Sequence, residues 1–410
     1  MKNIAIILAD SNGCYPVPAV HGGAVSTLVE HIVAGNSVLG NVKLTIFTYD
    51  DEKARRAAEK YQHVDFVWIK IPAVIKLLDS AFFKMVGLLF KKKKGISFKS
   101  IFSLLWAICR LSVFLKSQKF DDVVIENNIP LAWCIKMSNY RGRYFYHLHN
   151  VPRINAKCKV VFENCTGFLC VSNFVASEIG SSKNAIGPVN KDKRKVLYNC
   201  IDVNHFKHIS STKKEIRSKY GLKNEDKVLV FVGRMSREKG IDRLLESLQY
   251  IRSKDVKILV VGSLIYDSNS SDEYSSLVRK FAERWKEKIV FTGYVSQKDL
   301  PAVYSAADIA VLPSVWNEPA GLTMLESMAC EIPLITTNVG GISEYVQDKA
   351  IILENNSELP YNIAQNVDRL LRDENLRRRM GVVGRQHVCD HFSSEMYMSH
   401  FCNLLTDERE

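Results

Sequence analysis

The sequence predicts an α/β protein of two doubly wound parallel sheets, each carried by its own domain. Three observations predict it. Apolar runs of strand length alternate with helix-length amphipathic stretches along most of the chain, the pattern of successive βαβ units. That series occurs twice, separated by the polar stretch His205 to Asp226, which suits a linker with a short helix. With 410 residues, 47% hydrophobic and 24% charged, the chain can bury two full cores and has the balance of a globular protein. The expected domains are 1–204, joined by a closing helix within 392–410, and 205–391.

The first apolar run, Ile4 to Leu8, predicts a buried strand and not a signal peptide, because no small-residue cleavage pattern follows it. A cytoplasmic protein is the resulting expectation. His21-Gly22-Gly23 opens a helical pattern over Ala24 to Leu39, and a glycine pair at a helix start lets backbone amides approach a phosphate. A plain turn is the competing reading. Val42 to Phe47 and Phe66 to Ile69 are further strands.

After Pro72 the character changes. Val74 to Phe90 and Phe98 to Leu115 predict two amphipathic helices joined by the basic hinge Lys91, Lys92, Lys93 and Lys94. The window Lys76 to Lys119 has ten Lys or Arg against one acid, Asp79, so it carries nine of the chain's twelve net positive charges. Such a concentration suits an anionic membrane surface. Crossover helices packed on the sheet would also show an apolar face.

Asp122 to Glu126 is a strand, and Tyr144 to His149 another that ends at His147 and His149. In the second half, Val228 to Val232 runs into Gly233-Arg234-Met-Ser-Arg237-Glu-Lys239-Gly240, a loop with cations at a strand's carboxyl end, which suits a diphosphate and equally an ordinary solvated loop. Val256 to Val261 follows as a strand, and Ile289 to Val295, which includes Tyr294, leads into a helix beginning near Ser296 or Gln297. Ile309 to Leu312 then precedes Ser314-Val-Trp-Asn-Glu318-Pro-Ala-Gly321-Leu-Thr-Met-Leu-Glu326. Glu318 should sit in the loop, Glu326 about two turns into the next helix, and the amides of Ala320, Gly321 and Leu322 should point at an anion or a hydroxyl-rich ligand; an ordinary helix entry, with Glu318 capping it and Glu326 on a solvated face, is the competing reading. A second glycine pair, Gly340-Gly341, opens another helix. The segment from Asn362 to His387 is expected to be polar and exposed. Ten cysteines show neither a C-x-x-C pair nor zinc spacing, so no metal is expected.

The glutamates eight residues apart and the Gly-Arg-x4-Lys-Gly loop resemble the family-4 retaining glycosyltransferases, two-domain enzymes of the GT-B fold. His149-Asn150 resembles the same family's strand-end histidine. The resemblance spans nearly the whole chain, most strongly Val228 to Val346, with Cys200 standing where the family usually has glycine. It implies two Rossmann-like domains facing across a cleft. It also implies that Arg234 and Lys239 bind the donor diphosphate, Glu318 and His149 touch the donor sugar, and Glu326 touches the ribose. Gly22, Gly23 and Gly233 would line the phosphates, with the base beside Tyr294 and Val295. The implied reaction moves a hexose or N-acetylhexosamine from a nucleoside diphosphate sugar, uridine diphosphate being the preferred carrier, to a glycan or lipid-linked acceptor in bacterial surface-polysaccharide synthesis. Neither cofactor nor metal is needed, and no nucleic acid is an expected partner. A nucleotide-sugar epimerase of the same fold is the alternative enzyme. A basic membrane-binding protein without activity would leave the glutamate pair and the cationic loop without a purpose.

Overall fold

The computed structural model describes residues 1–8, 15–89, 99–262 and 273–406. Lys91, Lys92, Lys93 and Lys94 lie outside the described residues. Two compact units form: Met1–Tyr198 with Glu395–Glu410, and Asn199–Ser394. The division comes a few residues earlier than the polar linker suggests, for a visible reason. The Ile201 amide donates to the Phe392 carbonyl (2.8 Å), Ser394 donates back to Ile201 (2.9 Å), and the Asn199 amide donates to the Tyr345 hydroxyl (2.9 Å). Residues 199–201 are therefore bonded into the second unit.

Unit 1 is built on a parallel sheet of β1 (Lys2–Ile7), β2 (Val42–Tyr49), β3 (Val64–Ile69), β4 (Asp122–Glu126), β5 (Arg143–Leu148), β6 (Gly167–Cys170) and β7 (Arg194–Val196), in the order β3-β2-β1-β4-β5-β6-β7. Ile4 to Ile7 and Val123 to Ile125 are fully buried, as expected of strands covered on both faces. The closing helix Ser394–Leu405 docks on this unit: Lys2 Nζ and Arg143 Nη2 both donate to the Leu405 carbonyl, at 3.1 and 2.6 Å. Two long apolar helices follow β3. Ile101–Ser117 buries one face through Leu104, Ala107, Ile108, Leu111 and Leu115. Ala73–Leu89 leaves Val74, Leu77, Leu78 and Met85 exposed, and its one deeply buried polar group is Asp79. That carboxylate accepts from the Phe102 amide (2.8 Å) and from the amide and hydroxyl of Ser103 (3.1 and 2.6 Å), tying the two helices together.

Unit 2 has β8 (Lys227–Val232), β9 (Val256–Val261), β10 (Ile289–Gly293), β11 (Ile309–Leu312), β12 (Leu334–Thr337) and β13 (Ile351–Leu353), ordered β10-β9-β8-β11-β12-β13. Every ladder is parallel. Strand order reverses between β8 and β11, and in unit 1 between β1 and β4. Loops leaving such a pair at their carboxyl ends splay to opposite faces and open a crevice for a ligand.

The carboxyl-terminal helices depart from expectation. Leu359–Arg372 and Glu374–His391 bury their inner faces, through Ile363, Val367 and Leu370 on the first and Gly381, Gly384, His387 and Val388 on the second. Gly384 lies against Met328, and a Cβ on Gly381 would collide with the Glu331 carbonyl, so the small residues set how closely this helix approaches its neighbour. On the second helix sparse glycines and a histidine do not register as an apolar stripe, and on the first the buried Ile363, Val367 and Leu370 are spread among polar residues, which is why the segment looks polar in the sequence.

Candidate active site

Three loops of unit 2 meet at the carboxyl ends of β8, β11 and β12. The loop after β8 carries Lys239, whose ammonium forms an ion pair with Glu318 Oε1 from the loop after β11. Ser314 lies between them: its hydroxyl is 2.8 Å from Glu318 Oε2 and 3.0 Å from the Glu238 carbonyl, two acceptors for one hydrogen. The Val315 amide also donates to Glu238, at 2.9 Å. Gly240 turns at φ 67°, and a Cβ there would strike the Pro313 carbonyl, so the two loops can pack this closely only with glycine. From β12, Gly340 turns at φ 59° directly over the Glu318 backbone, and the Gly341 amide donates to the Glu318 carbonyl at 2.7 Å. This second glycine pair is more than a turn, since it clamps the backbone of a glutamate that the sequence had already singled out.

The helix after Glu318 runs Leu322–Ala329 with Gly321 at its N-cap. Residues 319–321 stay outside the helix, so Glu326 lies little more than one turn in, not two. The first-turn amides have no partner within the helix and present partial positive charge. Glu326 is buried, and Tyr304 donates to its Oε2 at 2.9 Å. Burial pushes its carboxyl up to about 7 in spite of that hydrogen bond.

The remaining unit 2 candidates are more open. Arg234 is 63% exposed and reaches Glu238 at 3.4 Å. Arg237 stacks over Tyr274, 5.5 Å from the ring centroid. The Gly233 amide donates to the Val261 carbonyl (3.0 Å), which holds the loop start against β9. Tyr294 follows Gly293, at φ 72°, and is 79% exposed, with Val295 half-buried beside it. The structure therefore joins Lys239, Glu318 and Ser314 directly, while Arg234 bonds Glu238 and Tyr294 and Val295 follow the end of β10.

In unit 1, Gly22 (φ 77°) and Gly23 (φ 100°) lead into the helix Ala24–Leu39, with Gly23 as the N-cap residue. At the ends of β4 and β5, Glu126 lies between two imidazoles. His147 Nδ1 is 3.0 Å from Glu126 Oε2, and His149 Nε2 is 2.9 Å from the same oxygen. Burial would raise the Glu126 carboxyl, but the charge and hydrogen bonds of His147, then of His149, outweigh it and hold it at about 2. His149 is lowered to about 4, by burial first and by the neighbouring His147 second. Ligand atoms of these three residues lie within 4.8 Å of one another, the one such group among the described residues that could hold a metal ion. The carboxylate–imidazole distances are those of ordinary hydrogen bonds. Moreover, His147 Nε2 is buried without a partner, whereas a ligating histidine normally anchors its second nitrogen.

Residues 212–387 match the family described as Glycosyl transferases group 1. This stretch is a group 1 glycosyltransferase domain. Over 386 residues the chain is 26% identical to a putative glycosyltransferase, YtcC, of Bacillus subtilis (strain 168), covering 91% of this chain and 85% of that one. It is 29% identical to the capsular polysaccharide biosynthesis glycosyltransferase CapM of Staphylococcus aureus, over 64% of this chain and 65% of the relative. In three dimensions it is similar to Anabaena Alr3699/HepE in complex with UDP and glucose, with a TM-score of 0.71 at 15% identity, covering 99% of both chains. The two parallel sheets of the chain are those of the GT-B fold.

Three residues that hold these sites together, and one that anchors the start of the second unit, had no assignment in the sequence. Ser314 opens the glutamate stretch, and its position four before Glu318 was the available signal. Tyr304 and Glu126 lie 22 and 21 residues from their partners, beyond any local spacing rule. Arg217 is buried in the supposed linker, donating to the carbonyls of Ala306, Lys223, Asn224 and Asp226 and pairing with Asp308 at 3.0 Å.

Proposed function

We propose that this glycosyltransferase moves a hexose or N-acetylhexosamine from a nucleoside diphosphate sugar to a glycan or lipid-linked acceptor, with retention at the anomeric carbon. The observation that carries the reading is the Lys239–Glu318–Ser314 junction at the open end of β8 and β11. A diphosphate arriving there meets the Lys239 ammonium, the Arg234 guanidinium and the free amides of residues 320–322. Glu318, held on Oε2 by Ser314, is left to accept from sugar hydroxyls, and Glu326 from the ribose. Tyr294 and Val295 offer backbone groups to the base, beside Gly233.

Lys239 is paired with Glu318. A diphosphate gives it a second anionic partner, whose charge grows as the glycosidic bond breaks. Fixed charges aimed at a developing phosphate charge are the main source of rate in such a site. The departing phosphate oxygen takes the acceptor's proton. These cations supply the positive charge, and no metal is assigned a step. In unit 1, His149 is assigned to a sugar hydroxyl and the amides of Gly22 and Gly23 to a phosphate.

Uridine diphosphate is the preferred carrier, supported by the fold neighbour in complex with UDP and glucose. Bacterial surface-polysaccharide synthesis is supported by the capsular relative. Calorimetry against a panel of nucleotide sugars, followed by NMR of the product anomer, tests both parts. Failure to bind any nucleotide sugar, or a product of inverted configuration, would reject the reading.

The protein is further assigned to the cytoplasmic face of the cell membrane, bound peripherally to anionic lipid. Among the described residues, no helix is long and apolar enough to cross a membrane. The support is the stripe Val74, Leu77, Leu78 and Met85, spaced along one side of Ala73–Leu89 with Lys76 and Lys84 on the same helix.

A further inference from the structure

Among the polar groups at the carboxyl ends of the unit 1 strands, Glu126 has no role in the reaction as derived so far, yet it is fully buried and bonded to His149. A carboxylate without a proton only accepts hydrogen bonds, so the 2.9 Å contact requires hydrogen on His149 Nε2. The other nitrogen, Nδ1, is then a lone pair. It has no partner among the described residues and, unlike His147 Nε2, is not among the buried unpaired atoms. The backbone is held as firmly as the ring: the His149 amide donates to Asn127 Oδ1 (3.1 Å), and the Asn127 amide donates to the His147 carbonyl (2.8 Å). Asn127 sits at φ 47°, a conformation asparagine tolerates better than most residues. His147 Nδ1 lies 3.0 and 3.2 Å from the two oxygens of the same carboxylate and keeps Glu126 in place.

We infer that Glu126 is a positioning residue that fixes the ring and tautomer of His149, so that Nδ1 is presented as a hydrogen-bond acceptor and selects a substrate hydroxyl that donates. A carboxylate that orients an imidazole acts through the tautomer it enforces, and an amide in its place can enforce the wrong one. The inference rests on the assignment of His149 to a sugar hydroxyl, and burial, which disfavours the imidazolium, supports a neutral acceptor there.

The test uses the full-length protein with 15N-labelled histidine. Wild type should show His149 with hydrogen on Nε2, its signal assigned by its loss in His149→Ala. In Glu126→Gln, whose side-chain amide can donate as well as accept, the Nδ1–H form should appear. The same variant should lose about 10- to 100-fold in kcat/KM, the scale typical of an orienting partner, with thermal melting confirming that it folds. Glu126→Asp should recover part of the loss. An Nδ1–H tautomer in wild type, or an unimpaired Glu126→Gln beside an impaired His149→Ala, would overturn the inference. So would one zinc ion retained per chain and lost in Glu126→Gln, since metal would then occupy these atoms. Full activity in His149→Ala would instead reject the sugar assignment of His149, leaving the tautomer to be judged by its own signal.

Discussion

The ammonium of Lys239 is bonded to the carboxylate of Glu318, 79 residues away in sequence. A cation and an anion that answer each other in this way cannot be treated as independent binders of the donor. Removing either leaves the other partly buried and unpaired, which is costlier than losing the pair.

Lys239→Ala should therefore lose roughly 2 to 4 kcal/mol of transition-state stabilisation, read as kcat/KM. The exposed Arg234 should lose less when changed to alanine. The double variant Lys239→Ala/Glu318→Ala should fall short of the sum of its singles, because each single strands a charge. Additive losses would mean that the two side chains act separately.

Glu318→Gln keeps shape and removes charge, so turnover should drop while free nucleotide binding stays within a few-fold of wild type. Glu326→Ala should weaken nucleotide binding itself. Calorimetry with the nucleoside diphosphate alone separates the two, and equal losses of affinity would collapse the distinction between sugar and ribose contacts. Turnover should also persist after EDTA treatment; activity restored only by added Mn²⁺ or Mg²⁺ would assign a metal to the reaction.

Glu326 should make the stability of the free protein depend on pH. Its carboxyl is raised from 4.5 to about 7 in the folded chain, so between those values the folded state holds a proton that the unfolded state has released. Stability then falls as pH rises through this window and levels off above it, a change on the order of 3 kcal/mol. Glu326→Gln lacks the titration. Its melting temperature relative to wild type should climb between pH 5 and pH 8, and a constant offset would show that the carboxyl titrates normally.

Sedimentation with vesicles tests the surface of unit 1. Wild type should bind anionic vesicles at low salt and lose much of that binding at high salt. Changing Leu77 and Leu78 to serine should reduce what remains at high salt, and changing Lys91 to Lys94 to serine should reduce the salt-sensitive part. Equal binding to neutral and anionic vesicles would remove the electrostatic claim.

What could be seen in the sequence and what could not divide along a physical line. Lys239 and Glu318 were visible because each lies in a short loop after an apolar strand, and strand order puts such loops side by side. Glu326 was placed a turn too deep because Pro319 to Gly321 do not declare where the helix begins. Glu126 was passed over because a single acid at a strand's end has no meaning until the neighbouring strand sets two histidines against it. Arg217 is a charged residue in a polar stretch, and its burial follows only from the carbonyls that surround it. The inner face of Glu374–His391 was missed because glycine packs closely without being apolar, and that of Leu359–Arg372 because its buried Ile363, Val367 and Leu370 are spread among polar residues.

Gly340 also says something about how unit 2 comes to exist. Its backbone can lie against that of Glu318 only after β11 and β12 have paired, and Lys239 reaches the same glutamate only once β8 has joined them. Contacts of such long sequence separation are made late, after the chain entropy of several loops has been lost. A nucleotide would therefore find no foothold on a half-formed sheet. Ligand added during refolding should slow unfolding without accelerating folding, and the nucleotide would act on the lifetime of the finished domain and not on its assembly.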